Sequence, residues 1–424
     1  MGPSTKPEEA GEEAGQDAEA ELPEPAGRPV GRLRRLIRNL LARRSVKAVL
    51  VLFAVCLGWL AWSVGGALAA PGNDSVAARL AEWGRDHHLG QVVTMLETAQ
   101  YKLNPPKIGG TPNFAIGLPS AAAKPSSPAK ADPSKPDPSK PDPHPTIAAF
   151  YPPPLTSPAG APLPGEGTWK VLGSVRGTPA IQTALIRPDA EHTSYLAGVV
   201  SMDSRLLRFQ LHPGTDDPGP DNWGVPPSIP PEARNGLLAS FNGGFKVREA
   251  HGGFYLNGVT HGTLSPGAAS LVFYKDGHAT VGTWDSGVTM TPDVVGVRQN
   301  LRVIVDHAAV PDGVDSDIEN GWGLTLGGKY FVWRSGIGVT SSGRMIYVYG
   351  PALSVRTLAD LLQQAGCVEA MQLDINPAWM SFNYYQAGPD PLSPTALKLL
   401  PDQERPADRY FEPTSRDFTA VYAR

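Results

Sequence analysis

The pattern of hydrophobic and polar positions changes character several times along the chain. Residues 48–70, AVLVLFAVCLGWLAWSVGGALAA, are 23 consecutive positions without a charge. About 20 apolar residues carry a helix across a hydrocarbon core, so this stretch predicts a single transmembrane helix. Residues 74–103 show helical periodicity, with Leu80, Trp83 and His87 on one stripe and Val92, Val93, Leu96 and Leu103 on a second. Gly84 and Gly90 weaken the middle, so two short helices are expected, stopped by Asn104-Pro105-Pro106. Beyond residue 166 the apolar runs shorten to strand length. Residues 195–202, 206–211, 237–241, 253–256, 270–274, 280–283, 302–305, 336–339 and 345–349 read as strands. Lys275-Asp276-Gly277 and Ser341-Ser342-Gly343 are hairpin turns between such runs. One helix stands out among them. Ser354 is its N-cap, Leu358, Leu361 and Leu362 its apolar face, and Gly366 its C′ stop. A strand at 370–373 follows and ends at Asp374. The expected fold class is α+β: a β-rich domain with a mixed or antiparallel sheet and few helices, preceded by one transmembrane helix and a Pro-rich linker.

Composition divides the chain further. Of 424 residues, 46 are Gly and 44 Pro, which excludes a helix bundle or coiled coil and points to turns and linker. The repeat DPSKP occurs at 132–136 and again at 137–141, inside a Pro-rich linker over 118–165. Such chain is extended, and its 48 residues reach on the order of 100 Å when stiff. The expected domains are a tail over 1–47, the span at 48–70, a membrane-proximal helical segment at 71–117, the linker, and a folded unit at 166–424. That unit of 259 residues is long enough for a substantial core.

The net charge of −4 conceals an asymmetry. Residues 1–27 hold eight acids and one Lys, whereas 28–47 hold seven Arg and one Lys with no acid. The acidic stretch has the composition of a disordered tail. The basic stretch sits beside the apolar span and puts the N-terminus in the cytoplasm and the C-terminal domain outside the cell. It also fits a basic amphipathic helix on the inner leaflet. A cleaved signal peptide is the alternative to an anchor, because Ala67-Leu68-Ala69 suits a cleavage site, but its apolar core would be shorter. The overall acidity argues against a nucleic-acid binder. With only Cys56 and Cys367, a disulfide framework and a cysteine zinc site are excluded.

Three segments suit chemistry. In LLASFNGGF, 237–245, a buried strand runs into Asn242, Gly243 and Gly244. Two glycines permit positive φ, so backbone N–H groups can converge on an anion, though the same residues also make an ordinary turn. In VWRSGIGV, 332–339, Arg334 at the end of an apolar run suits a phosphate or carboxylate, or else a structural ion pair. In GCVEAMQLDINPAWMSF, 366–382, Asp374 stands at the carboxyl end of a core strand, a frequent place for a catalytic carboxylate and equally for a turn residue. Asn376 and Trp379 follow closely, and a Trp face suits a sugar ring. The acidic loop with Asp312, Asp315, Asp317 and Glu319 leaves Ca²⁺ open, although its spacing is not that of an EF-hand. The His87-His88 pair has no carboxylate or Cys partner in its motif. No HExxH, GxSxG, Walker or GxGxxG pattern occurs, which weakens zincin, α/β-hydrolase, nucleotide-hydrolase and dinucleotide readings.

Taken in order, FNGGF (241–245), WRSGIG (333–338), SVRTLADLLQQAGC (354–367) and MQLD (371–374) resemble the phosphodiester glycosidase family. The resemblance covers about residues 170–424. That family continues Leu-Asp with a loop of glycines and serines, and this chain has LDINPAWMSF there, with less backbone freedom and more bulk. The resemblance implies a hydrolase of a sugar-1-phosphodiester or a related envelope glycan linkage; the charge asymmetry puts it outside the cell, no cofactor is expected, and nothing in the sequence requires a metal. The same resemblance implies Asp374 as the acid–base or electrostatic carboxylate, Arg334 on the phosphate, and Asn242 with the Gly243 and Gly244 amides on the anion. Asn376 or Trp379 would contact the sugar, and Arg298, in GVRQN, is a further phosphate candidate. The alternative is a non-catalytic glycan-binding or wall-organising module on the same fold. A protease lacks any nucleophile constellation here.

Overall fold

The computed structural model describes Arg34 and residues 44–70, 74–116, 147–314 and 331–424. It divides into two compact units, 1–66 and 67–424. In the first, helix α1 (Arg44–Leu68) has a window of mean hydropathy 2.2 and is long and apolar enough to cross a membrane.

The second unit contains two short helices, α2 (Val76–Asp86) and α3 (Gly90–Leu103), separated where His88 takes a left-handed φ of 62°. Ser75 caps α2 by accepting the Ala78 N–H at 3.2 Å. Three sheets follow, and every strand pair within them is antiparallel. The largest runs β1 (Lys170–Val175), β2 (Thr178–Ile186), β3 (Ala197–Met202), β13 (Met345–Leu353), β12 (Val332–Thr340), β14 (Cys367–Gln372) and β11 (Val303–Val305). A second runs β7 (Val259–His261), β6 (Phe254–Leu256), β10 (Val294–Gln299), β8 (Ala269–Tyr274) and β9 (Ala279–Thr283). The third runs β16 (Thr395–Lys398), β15 (Phe382–Gln386), β5 (Leu237–Asn242), β17 (Phe418–Ala423) and β4 (Leu207–His212). The β-rich α+β expectation holds, with antiparallel pairing throughout the described strands.

Helix α4 (Val355–Gln364) links β13 to β14, which flank β12 and so run parallel to each other. Ser354 and Thr357 form a reciprocal capping box at its start, and Gly366 stops it with a φ of 93°. Its Leu358, Leu361 and Leu362 pack with Ala184, Val199, Ile346 and Val348 in one apolar cluster. Residues of opposite parity, such as Ile181, Val200, Ile337 and Tyr347, join Phe209, Phe241, Phe273 and Phe382 from the other two sheets in the main core. The large sheet is thus buried on both faces, which is why β13 reads as a continuous apolar run rather than an alternation.

Packed chain begins before residue 166. Leu155 belongs to the cluster under α4, and Glu166 binds Arg187 at 2.9 Å. Most of the Pro-rich stretch lies outside the described residues, as do Asp315, Asp317 and Glu319 of the acidic loop.

Candidate active site

Strand ends from two sheets converge on one recess. It is lined by Asn242, Gly243, Gly244, Asp374, Trp379, Arg409, Tyr410, Arg416 and Asp417, and is too tight to admit a water molecule. Asn242 ends β5, Asp374 follows β14, and Arg416 and Asp417 immediately precede β17. Ser335 of β12 ties the sheets together. Its hydroxyl accepts from Asn242 Nδ2 at 3.0 Å and donates to the Asp374 carbonyl at 3.1 Å, while its backbone pairs with Leu373 and Asp374.

The Asp374 carboxylate is 3% exposed, and its Oδ1 accepts the Ile375 and Asn376 N–H groups at 2.7 and 2.9 Å. Its Oδ2 lies 3.5 Å from Arg416 Nη2. Burial pushes the Asp374 carboxyl above the ordinary carboxylate range, against the pull of Arg416 and the two amides. Asp417 is also raised by burial, against the opposing charge of Arg298. Two desolvated carboxyl groups therefore line the same recess. The Arg416 side chain is 5% exposed. Burial opposes its charge, but the Glu82 and Asp374 carboxylates outweigh that and hold the guanidinium firmly protonated. Arg409 donates to the Trp379 carbonyl at 3.1 Å, and Arg409 and Arg416 lie 5.8 and 5.5 Å from the Trp379 ring centre.

The expected site residues come together only in part. Asn242, Gly243, Gly244, Asp374 and Trp379 share the recess. The Asn242 amide is engaged within the fold: Nδ2 donates to Gly243 O and Ser335 Oγ, and Oδ1 accepts from Tyr347 Oη at 2.7 Å and Ser381 N at 3.2 Å. Both amide hydrogens and both acceptor positions are thereby used. Gly243 and Gly244 do not adopt positive φ. They are needed for close approach, since a Cβ on Gly243 would meet Asp417 Oδ2 at 2.0 Å and one on Gly244 would meet Asn300 Oδ1 at 2.6 Å.

Arg334 is not at the recess. Side chains alternate along a strand, so Ser335 points to Asn242 while Arg334 lies on the opposite face of β12. There it is fully buried, donating to Leu353 O at 2.8 Å and Gln372 Oε1 at 2.9 Å. Arg298 is likewise buried and does not line the recess; it grips the Asp417 carboxylate at 2.9 and 3.1 Å and positions it. Asn376 is not among the lining residues; its Oδ1 accepts the Ala378 N–H at 2.9 Å and shapes the turn. Trp379 is 3% exposed and packs with Ala378 and Ala78 of α2, so its ring is covered.

Sequence reasoning passed over Arg416, Asp417, Arg409 and Tyr410. A signal was present in SRDFTAVYA, where an Arg-Asp pair opens an apolar strand as Arg334 opens another. The stripe of Leu80, Trp83 and His87 is not the buried side of α2: Leu80 is 40% exposed and the buried members are Ala78, Glu82 and Gly84.

For metals, one trio among the described residues brings ligand atoms within 4.8 Å of one another: Asp306, His307 and Glu369. None of the three lines the recess, His307 is fully exposed, and its Nδ1 is 2.6 Å from Asp306 Oδ1. Asp306 and its negative charge raise the imidazole pKa. His87 bonds the Trp83 carbonyl through Nδ1 at 2.8 Å.

No protein-family model matches the chain, and no curated protein matches its sequence. Three solved structures resemble it weakly, at the level of fold. One is the catalytic domain of zebrafish N-acetylglucosamine-1-phosphodiester α-N-acetylglucosaminidase, auto-inhibited by its pro-peptide. It is 12% identical with a TM-score of 0.38, over 60% of this chain and 87% of that one. A hypothetical protein from Synechocystis is 12% identical with a TM-score of 0.35, over 59% of this chain and 63% of that one. A Burkholderia pseudomallei protein named as exported is 12% identical with a TM-score of 0.28, over 54% of this chain and 74% of that one.

Proposed function

We propose that the chain is a hydrolase of sugar-1-phosphodiesters or a related envelope glycan linkage, held at the membrane by α1 with the N-terminus in the cytoplasm and residues 71–424 outside the cell. The observation that carries this reading is the meeting of two desolvated carboxyl groups, Asp374 and Asp417, with the Arg416 and Arg409 guanidinium groups in one recess. In the reaction, water adds at the anomeric carbon, the bond from that carbon to the phosphate oxygen breaks, and free sugar and a phosphate monoester leave. Positive charge develops on the sugar ring and negative charge on the departing phosphate. A buried carboxylate suits the first and a fixed guanidinium the second. Asp374, raised above the usual carboxylate range, is the proton-transferring group. Asp417, oriented by Arg298, is the second carboxylate. Asn242, Gly243 and Gly244 form the floor, and Trp379 the sugar platform once it is uncovered.

The covered Trp379 ring and the altered loop at 375–382 favour a second reading, a glycan-binding or wall-organising module without catalysis. One experiment separates them. The purified chain is incubated with a panel of sugar-1-phosphodiesters and free sugar is measured. Asp374→Asn is expected to lower release by at least about a hundredfold, the usual contribution of a proton-transferring group, with binding retained. Release unchanged in Asp374→Asn, or absent for every diester tested, removes the hydrolase reading.

A further inference from the structure

Helix α2 meets the rest of the domain through its acids. Asp74, just before the helix, pairs with Arg405 and accepts from Ser415 Oγ at 2.6 Å. Asp86, at its end, lies 2.8 Å from Lys246 Nζ and 3.2 Å from Arg248. Between them Glu82 is 5% exposed, with one carboxylate oxygen 3.3 Å from Arg416 Nη1 and the other 2.5 Å from Lys246 Nζ. Lys246 is itself 3% exposed. A glutamate is almost never buried on a surface helix unless cations face it. Here one carboxylate bridges two buried cations, one of which also lies 3.5 Å from Asp374.

We infer that Arg416 and Lys246 form a phosphate-ester subsite of the recess, and that the Glu82 carboxylate is its resident occupant, displaced together with α2 when a phosphate ester binds. This inference rests on reading the recess as a sugar-phosphodiester site. A carboxylate and a phosphate each offer acceptor oxygens that can bridge a guanidinium and an ammonium, as Glu82 bridges Arg416 and Lys246, so the position of Glu82 marks where a phosphate sits. The Arg416 guanidinium is already oriented, since Nη2 donates to Gly244 O at 2.9 Å. Space points the same way. With α2 docked the recess leaves no room even for a water molecule, whereas pockets for drug-sized ligands run from about 300 Å³ upward. Lifting α2 removes Ala78 from Trp379 and exposes both the ring and Arg416. The helix has little apolar anchorage to lose, because Ala78 is its one side chain in a buried apolar cluster. Its hold is mainly electrostatic, and a competing anion addresses that hold directly.

The test uses the full chain in detergent, with inorganic phosphate as probe and chloride at matched ionic strength as control. Binding is followed by calorimetry and the amides of residues 76–86 by hydrogen exchange. Glu82→Gln is expected to bind phosphate at least about tenfold more tightly than wild type, because the occupied fraction of the site is freed. Phosphate, and not chloride, is expected to speed exchange in 76–86 of the wild type while β13 amides stay protected. Asp74→Asn undocks the same helix without touching Arg416 and is expected to shift affinity in the same direction. Adding Arg416→Gln to Glu82→Gln abolishes the gain. Unchanged phosphate affinity in both Glu82→Gln and Asp74→Asn, or exchange in 76–86 indifferent to phosphate, overturns the inference. The hydrolase reading fails separately: tighter phosphate binding with no sugar released from any diester removes that reading and leaves the subsite. Sugar released at equal rates by wild type and Glu82→Gln does the reverse.

Discussion

Burial, more than the pull of Arg416, sets the direction of the Asp374 pKa, which is upward from the ordinary 3.8. The folded chain therefore holds that proton more tightly than the unfolded chain does. Below about 3.8 both states are protonated and the group costs nothing. As pH rises through the folded value, stability is lost, and the ionised carboxylate remains a cost at neutral pH. Asparagine keeps an oxygen for the Ile375 and Asn376 amides and carries no charge, and Arg416 still has Glu82 as partner. Asp374→Asn is accordingly expected to melt no lower than wild type near neutral pH, with the difference shrinking as the pH is brought towards 4. Circular-dichroism melts across that range check it, and a variant that melts lower at neutral pH contradicts it. Sugar release lowered in a variant that melts no lower than wild type would be the pattern of a residue held for chemistry rather than stability. Asp374 was legible in the sequence because a polar residue ending an apolar strand is a local feature. Asp417 opens an apolar strand in a similar way, but what sets it apart from other such residues is tertiary: the Arg298 grip, from a residue 119 positions away.

At the scale of elements, what could be read was what is written within a few residues. The start and stop of α4 are of this kind. The Ser354 hydroxyl accepts the Thr357 N–H at 3.0 Å and the Thr357 hydroxyl accepts the Ser354 N–H at 2.8 Å. Replacing Ser354 with Ala leaves a first-turn donor without that partner and is expected to cost about 1 kcal/mol of stability. A urea midpoint shifted downward with an unchanged m-value checks this, and an unshifted midpoint refutes it. Strand parity was harder. In β12 the residues from Val332 to Thr340 are nearly all buried, so no alternation in the sequence shows which of Arg334 and Ser335 faces the site. The large sheet is covered by α4 on one side and by two further sheets on the other, and that covering erases the period-two signal. The same limit applies to α2. Its apolar stripe through Leu80 is not the buried side, because the partners waiting for it are cations, so Glu82 turns inward and Leu80 outward.

For the second unit as a whole, residues 74–116 dock on the β-domain at two places. One is the set of ion pairs from α2. The other lies beyond α3, where Gly109 N donates to Glu191 O at 2.7 Å, Thr193 Oγ1 to Gly110 O at 2.8 Å, and Lys170 Nζ to Ile116 O at 3.1 Å. Asp74 and Arg405 are separated by 331 positions, a distance over which no sequence pattern speaks, so this docking was invisible to a reading that treated 71–117 as a separate membrane-proximal segment. It has a consequence for the covalent link. If the contacts suffice, the chain joining residue 116 to residue 147 is not what holds the two parts together. A protease recognition site placed between residues 125 and 135, cleaved in the purified chain, is expected to leave both fragments eluting as one species in size exclusion. The two docking places differ in kind, one built on ion pairs and the other on hydrogen bonds and on Phe114 and Ile116 packed against the main core, so they respond differently to substitution. Asp74→Asn with Glu82→Gln in the cleaved chain removes the pairs to Arg405 and Arg416 and the Glu82 contact to Lys246, and leaves the Asp86 and Arg85 pairs and the second place. The fragments are then expected to separate at a higher concentration than the unsubstituted cleaved chain, since what remains is the Asp86 and Arg85 pairs, the packing of Phe114 and Ile116, and a few hydrogen bonds of about 0.5–1.5 kcal/mol each. Separation of the unsubstituted cleaved fragments at the first column would instead assign the association to the linker, and the acidic helix would be a passenger on it.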